Sequence, residues 1–300
     1  MNARTDPSVI AVPEMYFATI ASGIRVPYVA SGSGEPLLFV HGSLCDQRYW
    51  KGQASVLSQH FLCVSVSLSH YWPADDSGLQ GEFSWKAHVA ELADFITAMN
   101  LGPVHLVGHS RGGCVAFHLA REHPHLVKTL VLADPGGPLQ VDGTPPAAMP
   151  AATTALRADV AALIENGAID AGLEMFVDSV SMPGAWRRSP AGFRTMAVAN
   201  AATLPKQFRD PLPAYERGAA GDVQCRTLLI GGEKSPRMYR HNIDRLAEWI
   251  GRADKRAIPG ASHGMNVTHP AAFNRLMLEF LGGAEESSSG EVEISQAGSL

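Results

Sequence analysis

A serine between two glycines is the feature of this sequence that most directly indicates chemistry. Residues 108–112 read Gly-His-Ser-Arg-Gly, with Ser110 at the centre. An apolar run at 104–107 precedes them, and small and apolar residues at helical spacing follow. A strand, a sharp turn and a helix in this order raise the serine hydroxyl above the edge of a sheet and point the helix N-terminus at the reacting atom. The pattern predicts that Ser110 is a nucleophile.

A nucleophilic serine needs a base, and His263 is the best-placed histidine for that role. It follows Gly260-Ala261-Ser262, in a loop between the last predicted strand and the last predicted helix. Such a loop can return an imidazole to the serine. His109 lies inside the serine motif and is a candidate substrate contact. Neither the histidines nor the cysteines have the spacing of a metal site, so we predict no metal and no cofactor.

Two backbone amides are candidates for an oxyanion hole, the group that stabilises negative charge on a reacting carbonyl oxygen. One belongs to Arg111, the residue after the serine. The other belongs to Ser43, in the turn His41-Gly42-Ser43-Leu44 that follows the first core strand. Leu44 is the neighbour that can replace Ser43 and is also predicted to contact substrate.

The composition limits the classes of partner. The 300 residues are 46% hydrophobic and 18% charged, with a net charge of −5 and no basic cluster, which argues against nucleic acid or a membrane surface. The N-terminal residues show no signal-peptide pattern, and the four cysteines are scattered as in a reducing cytoplasm. We therefore expect a cytoplasmic protein that acts on a small molecule; a homo-oligomer is left open.

Short apolar strands alternate with helices along most of the chain. Strands are predicted at 36–40, 61–66, 104–107, 129–133, 226–230 and 256–258, after an entry hairpin at 16–30. Helices are predicted at 83–99, 236–250 and 270–281. This rhythm is typical of an α/β fold with a mostly parallel central sheet and helices on both faces.

The rhythm stops between residues 136 and 221, where several short helices are predicted instead. We interpret this segment as a helical cap inserted over the carboxyl edge of the sheet. Trp186 and Met196 are predicted to contact substrate, and Met182 and Phe193 are further candidates; the competing interpretation puts such residues in the cap's own core. The predicted divisions are an N-terminal extension at 1–14, the core at 15–135 and 222–282, the cap at 136–221 and a disordered tail at 283–300.

The three motifs together resemble the α/β-hydrolase superfamily, in its capped serine hydrolases of esterase or lactonase type. The matching pieces are 41–42, 108–112 and 260–263, in family order. The resemblance implies a Ser-His-acid triad on an α/β core. A common family motif is missing after the second core strand, where 67–73 reads Ser-Leu-Ser-His-Tyr-Trp-Pro; these residues form either part of the pocket wall or a packed loop.

The acid of the triad is the second departure from the family pattern. The family acid usually follows the strand at 226–230, but Ser235 occupies that position here. A hydroxyl cannot stabilise an imidazolium as a carboxylate does, so Ser235 is expected to matter little. Some members, including one subgroup of haloalkane dehalogenases and zearalenone-type lactonases, place the acid one strand earlier, where this chain has Asp134. We predict Asp134 as the acid, with Glu233 as the alternative.

The resemblance implies hydrolysis of a carboxylic ester or lactone of a small to medium hydrophobic substrate, through an acyl-enzyme on Ser110. Two alternatives remain open at this point. One is hydrolysis of a C–C bond in a ring-cleavage product, which uses the same triad. The other is a ligand-binding or signalling protein that keeps the hydrolase scaffold, because a fold does not fix a function.

Overall fold

An eight-stranded sheet forms the centre of the computed structural model, which describes residues 14–141, 144 and 149–282. In chain order the strands of the protein are β1 (Met15–Thr19), β2 (Arg25–Ser31), β3 (Pro36–Val40), β4 (Leu62–Val66), β5 (Val104–His109), β6 (Val127–Ala133), β7 (Leu139–Gln140), β8 (Tyr215–Glu216), β9 (Arg226–Gly232) and β10 (Ala253–Ile258). The order across the sheet is β1-β2-β4-β3-β5-β6-β9-β10. β2 is antiparallel to both neighbours, and from β4 to β10 the paired strands are parallel.

Helices cover both faces of this sheet and fill the long segment after β7. They are α1 (Lys51–Leu57), α2 (Asp76–Leu79), α3 (Trp85–Ala98), α4 (Arg111–Glu122), α5 (Ala151–Glu165), α6 (Ile169–Val180), α7 (Ala185–Arg188), α8 (Ala191–Ala199), α9 (Thr203–Arg209), α10 (Arg217–Gly221), α11 (Arg237–Trp249), α12 (Met265–Thr268) and α13 (Pro270–Gly282). Single turns of 3-10 helix occupy Gln47–Trp50 and Pro124–Leu126.

Strand β3 shows why the sheet is sandwiched between helices. Leu38 and Val40 belong to one apolar cluster, together with residues of α3, α4 and α11. Leu37 and Phe39 belong to a second cluster on the opposite face, with residues of α1 and α13. Since neighbouring side chains of a strand point to opposite faces, a continuous apolar run needs cover on both sides.

The predicted α/β fold with a mostly parallel central sheet is confirmed. The features that were not predicted include the helices α1, α2 and α12, and the pairing of the two-residue strands β7 and β8 within the segment that lacks a strand pattern. The boundaries of the predicted cap stay a prediction. The tail at 283–300 and nearly all of the extension at 1–14 lie outside the described residues. In the described part, none of the helices combines the length and apolar character needed to cross a bilayer.

Candidate active site

The turn between β5 and α4 holds Ser110 in a conformation that the two flanking glycines permit. Ser110 has φ 53° and ψ −120°, and its amide donates to the carbonyl oxygen of Ala133 over 3.0 Å. A Cβ at Gly108 would lie 2.4 Å from the carbonyl oxygen of Gly112, and a Cβ at Gly112 would lie 2.2 Å from that of His41. A side chain at either position would clash with backbone, so the sharp turn depends on glycine at both.

Ser110, His263 and Asp134 form a continuous hydrogen-bonded chain. Nε2 of His263 lies 3.1 Å from Oγ of Ser110, and Nδ1 of the same ring lies 3.2 Å from Oδ2 of Asp134. All three side chains are buried. An imidazole with a carboxylate on one nitrogen and a hydroxyl on the other can accept the hydroxyl proton and carry the resulting charge.

Asp134 reaches this chain from the end of β6, the strand next to β5. Its backbone has φ 40°, and its amide donates to the carbonyl oxygen of Ile230 over 3.0 Å. The residue is 0% exposed. Oδ2 also accepts a hydrogen bond of 2.5 Å from the hydroxyl of Ser235. The serine that stands at the usual acid position therefore donates to the carboxylate supplied by the neighbouring strand, a contact that the sequence analysis did not predict.

Glu233, the alternative acid, is directed elsewhere. The residue is exposed, and its Oε2 accepts a hydrogen bond from the amide of Gly260 over 2.8 Å. Its carboxylate is thus engaged at the start of the loop that carries His263, whereas the imidazole meets Asp134. This geometry does not support Glu233 as the acid, because a carboxylate has to contact the imidazole to orient it.

Two aromatic rings flank the imidazole of His263. Tyr239, near the start of α11, stacks on it with a centroid distance of 3.9 Å and an interplanar angle of 22°. His109 lies at 4.6 Å, and its Nε2–H donates to the carbonyl oxygen of His263 over 2.8 Å. Burial, with the nearby charge of His263 as a smaller cause, holds the pKa of His109 well below its usual range. His109 therefore stays neutral beside the imidazole of His263.

The turn after β3 lies directly beside Ser110. A Cβ at Gly42 would lie 3.0 Å from Cβ of Ser110. His41 fixes this turn, because its Nδ1–H donates to the carbonyl oxygen of Gly42 over 2.9 Å and its Nε2 accepts from the amide of Leu68 over 3.1 Å. Burial lowers the pKa of His41 to about 4, so the ring is neutral and keeps this tautomer. The turn is thereby held where the amide of Ser43 is predicted to act.

A cavity of about 1010 Å³ opens onto Ser110. Its wall is formed by residues from the turn after β3, the turn between β5 and α4, the segment between β6 and β9, and the loop of His263. The predicted site residues that line it are Ser43, Leu44, His109, Ser110, Arg111 and His263. Met182 and Phe193 line it as well. Its size and its many apolar wall residues suit a small or medium-sized organic molecule.

Trp186 and Met196, predicted to contact substrate, do not line this cavity. Trp186 is 2% exposed and packs in an apolar cluster of α5 to α9, and its Nε1–H donates to Oδ1 of Asp170 over 2.9 Å. Met196 packs in the second apolar cluster, the one that contains residues of α1 and α13. The structure thus places both side chains away from the cavity lining. Residue type and helical spacing do not reveal which face of a short helix points at the cavity.

The loop at 67–73 packs against the core. Tyr71 is 1% exposed and its ring lies 4.6 Å from that of His41. Nδ1 of His70 lies 3.1 Å from Nζ of Lys206, and the ring of Trp72 lies 3.8 Å from the guanidinium of Arg48. Because none of the three lines the cavity, the packed-loop interpretation is the correct one.

The side chain of Arg111 forms a buried ion pair with Asp210, which follows α9. Nη2 contacts Oδ2, and Nη1 donates to the carbonyl oxygen of Asp210 over 3.3 Å. The same carboxylate accepts a hydrogen bond from the amide of Trp85 over 2.8 Å. This pair joins α4, the helix that follows Ser110, to the residue after α9, and it neutralises the guanidinium next to Ser110.

A family model settles the classification of the fold that carries this site. The model of the alpha/beta hydrolase family matches residues 37–276, from the second residue of β3 into α13. The chain belongs to this family. Ser110, His263 and Asp134 all lie within the matched range.

The individual proteins that the chain resembles have low sequence identity to it. An uncharacterized protein of Mycobacterium tuberculosis is 30% identical over 128 residues, 43% of this chain and 37% of that protein, so the chain spans little more than a third of its length. A 2-hydroxymuconate semialdehyde hydrolase of Pseudomonas sp. (strain CF600) is 27% identical over 287 residues, 91% of this chain and 96% of that protein. Among solved structures, the carboxylesterase CesB (YbfK) of Bacillus subtilis has a TM-score of 0.75 at 16% identity, covering 91% of this chain and 93% of that chain, which shows a shared fold.

Proposed function

We propose that this alpha/beta hydrolase cleaves a carboxylic ester or lactone through an acyl-enzyme on Ser110. The observation that carries the proposal is the buried chain from Ser110 through His263 to Asp134, which opens onto a cavity of about 1010 Å³. A hydroxyl, an imidazole and a carboxylate in this order are the groups that acyl transfer requires.

In the proposed reaction, Ser110 Oγ attacks the substrate carbonyl while Nε2 of His263 takes the hydroxyl proton. The amides of Ser43 and Arg111 stabilise the oxyanion that forms. His263 then gives its proton to the leaving alkoxide, and the C–O bond breaks to leave an acyl-serine. A water molecule, deprotonated by His263, attacks the acyl-serine, and the acid product and the free serine hydroxyl are released. Asp134 keeps the imidazole oriented throughout.

Tyr239 supports the proposed reaction from the other side of the His263 imidazole. Burial raises the pKa of Tyr239, and a hydrogen bond with Ser110 opposes that shift only in part. The phenol therefore stays protonated at neutral pH and remains a hydrogen-bond donor. Because the phenol of Tyr239 is neutral, it does not place a second negative charge against His263 that would compete with Asp134 for the imidazolium.

Labelling with a fluorophosphonate tests the proposal. An activated serine displaces fluoride from phosphorus and gains one phosphonyl group, which intact-protein mass spectrometry detects. We expect one adduct on the wild-type protein and none on Ser110→Ala. Ser189→Ala is a matched control, because Ser189 also lines the cavity but its hydroxyl donates to the carbonyl oxygen of Ala185 over 2.8 Å; it should be labelled like the wild type. An adduct that persists on Ser110→Ala would contradict the proposal.

The cavity wall gives a prediction about chain-length preference. Phe193→Ala is expected to raise the ratio of kcat/KM for a long acyl ester over a short one by about tenfold. Removal of the phenyl ring from the apolar wall makes room in the cavity for several more carbon atoms of the acyl chain. Trp186→Ala is expected instead to lower the free energy of unfolding by about 3–5 kcal/mol, with an unchanged ratio. Urea denaturation and steady-state kinetics on two p-nitrophenyl esters measure both quantities. An unchanged ratio in Phe193→Ala would place that side chain outside the acyl site.

A second candidate function is hydrolysis of a C–C bond. It is favoured by the similarity to the 2-hydroxymuconate semialdehyde hydrolase over nearly the full length of both chains, and the same triad could serve it. Turnover of a vinylogous 1,5-diketone at a higher kcat/KM than any simple ester would select this candidate. Faster turnover of esters would select the first.

A further inference from the structure

The charges around the cavity are unbalanced. Among the described residues that line it there are three arginines, Arg111, Arg157 and Arg188, but one carboxylate, that of Asp210. Asp210 is already committed to Arg111. The cavity therefore holds an excess of positive charge in a chain whose net charge is −5. A cavity lined by one sign of charge with apolar walls concentrates ligands of the opposite sign.

Arg157 is the arginine of this cavity that has neither a counterion nor a hydrogen-bond acceptor among the described residues. It lies on α5, one turn after Thr153, and both side chains line the cavity, as residues four apart on one helix face do. Its guanidinium lies 5.4 Å from the ring centroid of Phe208. No ion pair or hydrogen bond joins Arg157 to any other residue in the described part of the chain. Arg188, by contrast, is exposed, and its Nη2 donates to the carbonyl oxygen of Pro183 over 2.9 Å.

Holding this cation in place costs free energy. Arg157 is half-buried, and burial lowers its pKa, although an arginine remains charged at neutral pH. Two other arginines of the segment, Arg187 and Arg209, are paired with Glu174 and Glu165. A half-buried guanidinium that faces the cavity with unused donors is suited to bind an anionic ligand.

Arg157 lines the same cavity as Ser110, Tyr239 and His263, the groups proposed to do chemistry. Its charge interacts with Tyr239 and with Arg111. Tyr239 stacks on His263, and Arg111 directly follows Ser110. Since both residues line one cavity, an anion bound at Arg157 could belong to the same molecule as an ester at Ser110.

We propose that the substrate carries a carboxylate in addition to the scissile ester or lactone, and that Arg157 binds this carboxylate. A planar guanidinium with free N–H groups matches the two oxygens of a carboxylate. The apolar wall then contacts the carbon chain between the two groups. This inference rests on the proposed function, and it narrows the substrate class from neutral esters to half-esters of dicarboxylic acids and to lactones that bear a carboxylate.

Pairs of synthetic substrates test it. The mono-p-nitrophenyl esters of succinic, glutaric and adipic acids are compared with p-nitrophenyl butyrate, pentanoate and hexanoate, which match them in carbon number but lack the charge. For at least one pair we expect the wild-type protein to have the higher kcat/KM on the charged ester. Added NaCl should reduce that advantage, since salt screens the attraction.

Two variants and a matched control identify the residue. Arg157→Gln is expected to lower the ratio of kcat/KM for the charged over the neutral ester by about tenfold or more, mainly through KM, because a hydrogen bond to a charged group is lost. Arg157→Lys should retain part of the ratio, as it keeps the charge but loses the bidentate geometry. Arg194→Gln removes the same charge from an exposed position on α8 outside the cavity lining, and should leave the ratio unchanged.

The outcomes separate this inference from the proposed function. If Ser110→Ala retains full ester hydrolysis, the proposed function fails. If wild type hydrolyses neutral esters by Ser110 but shows no preference for any charged partner, or if Arg157→Gln keeps the wild-type ratio, the carboxylate site is wrong and the proposed function stands. Should Arg157→Gln not fold, the wild-type preference, its salt dependence and the Arg157→Lys ratio decide the question.

Discussion

Ser110→Ala is expected to reduce kcat for ester hydrolysis by about 10³-fold or more, the scale of loss found when a triad member is removed. The substitution deletes one oxygen atom, which faces Nε2 of His263 at 3.1 Å, and leaves no nucleophile at the end of the hydrogen-bonded chain. The turn itself is held by backbone contacts of Ser110 and by its flanking glycines. Steady-state kinetics on one p-nitrophenyl ester, with thermal melting to verify the fold, measure the effect.

The companion variants show whether the residues act as a unit. His263→Ala should lose about as much activity as Ser110→Ala, and the double variant should be little worse than either, because each single change already disables acyl transfer. Additive losses would mean that the two side chains act independently. A well-folded Ser110→Ala protein with full activity would remove the serine hydrolase proposal altogether.

Asp134→Asn is expected to reduce kcat by up to about 10⁴-fold, by analogy with the same change in serine proteases. The amide keeps the shape of the carboxylate, but it removes the charge that stabilises the imidazolium and can favour the wrong histidine tautomer. Oδ2 of Asp134 is the atom that meets Nδ1 of His263, at 3.2 Å, and the residue is 0% exposed, so water cannot substitute for it. The measurement is kcat on one ester, with unchanged melting as the check on folding.

Glu233 and Ser235 provide the matched controls. Glu233→Gln should stay near wild type, since that carboxylate bonds the amide of Gly260 instead of the imidazole. Ser235→Ala should fall between the two, with a loss of about tenfold in kcat and little change in KM, because it removes a hydrogen bond to the charged Oδ2 of Asp134. If Glu233→Gln were the crippled variant while Asp134→Asn kept its activity, the assignment of the acid would be wrong.

The sequence predicted the parts of the site that depend on local pattern. The serine motif stands between an apolar strand and a helix, and Asp134 follows another such strand, so both positions at the carboxyl edge of the sheet could be read from the order of elements. His263 could be identified because it lies in the loop before the last helix. These are the residues that the structure brings within hydrogen-bond distance of one another.

Contacts between distant segments could not be predicted in this way. The stacking of Tyr239 on His263 depends on how closely the loop after β10 approaches α11. The bond from Ser235 to Asp134 depends on the packing of two strand ends. The role proposed for Arg157 could not be predicted because a single cation on a helix is ordinary until its surroundings are known. The position of Trp186 in an apolar cluster could not be predicted either, because a large apolar side chain is equally suited to a pocket and to a core.

The hydrogen bond from Ser235 to Asp134 also suggests a route by which evolution could move the acid between strands. Ser235→Asp would place a second carboxylate beside Oδ2 of Asp134, where Ser235 Oγ now lies at 2.5 Å. Two carboxylates at that distance cannot both be ionised, so they would share one proton and together present a single negative charge to His263. Either one could afterwards be lost while the other served the imidazole. Because the ends of β6 and β9 are neighbours in the sheet, an exchange of the acid between them would then require no inactive intermediate.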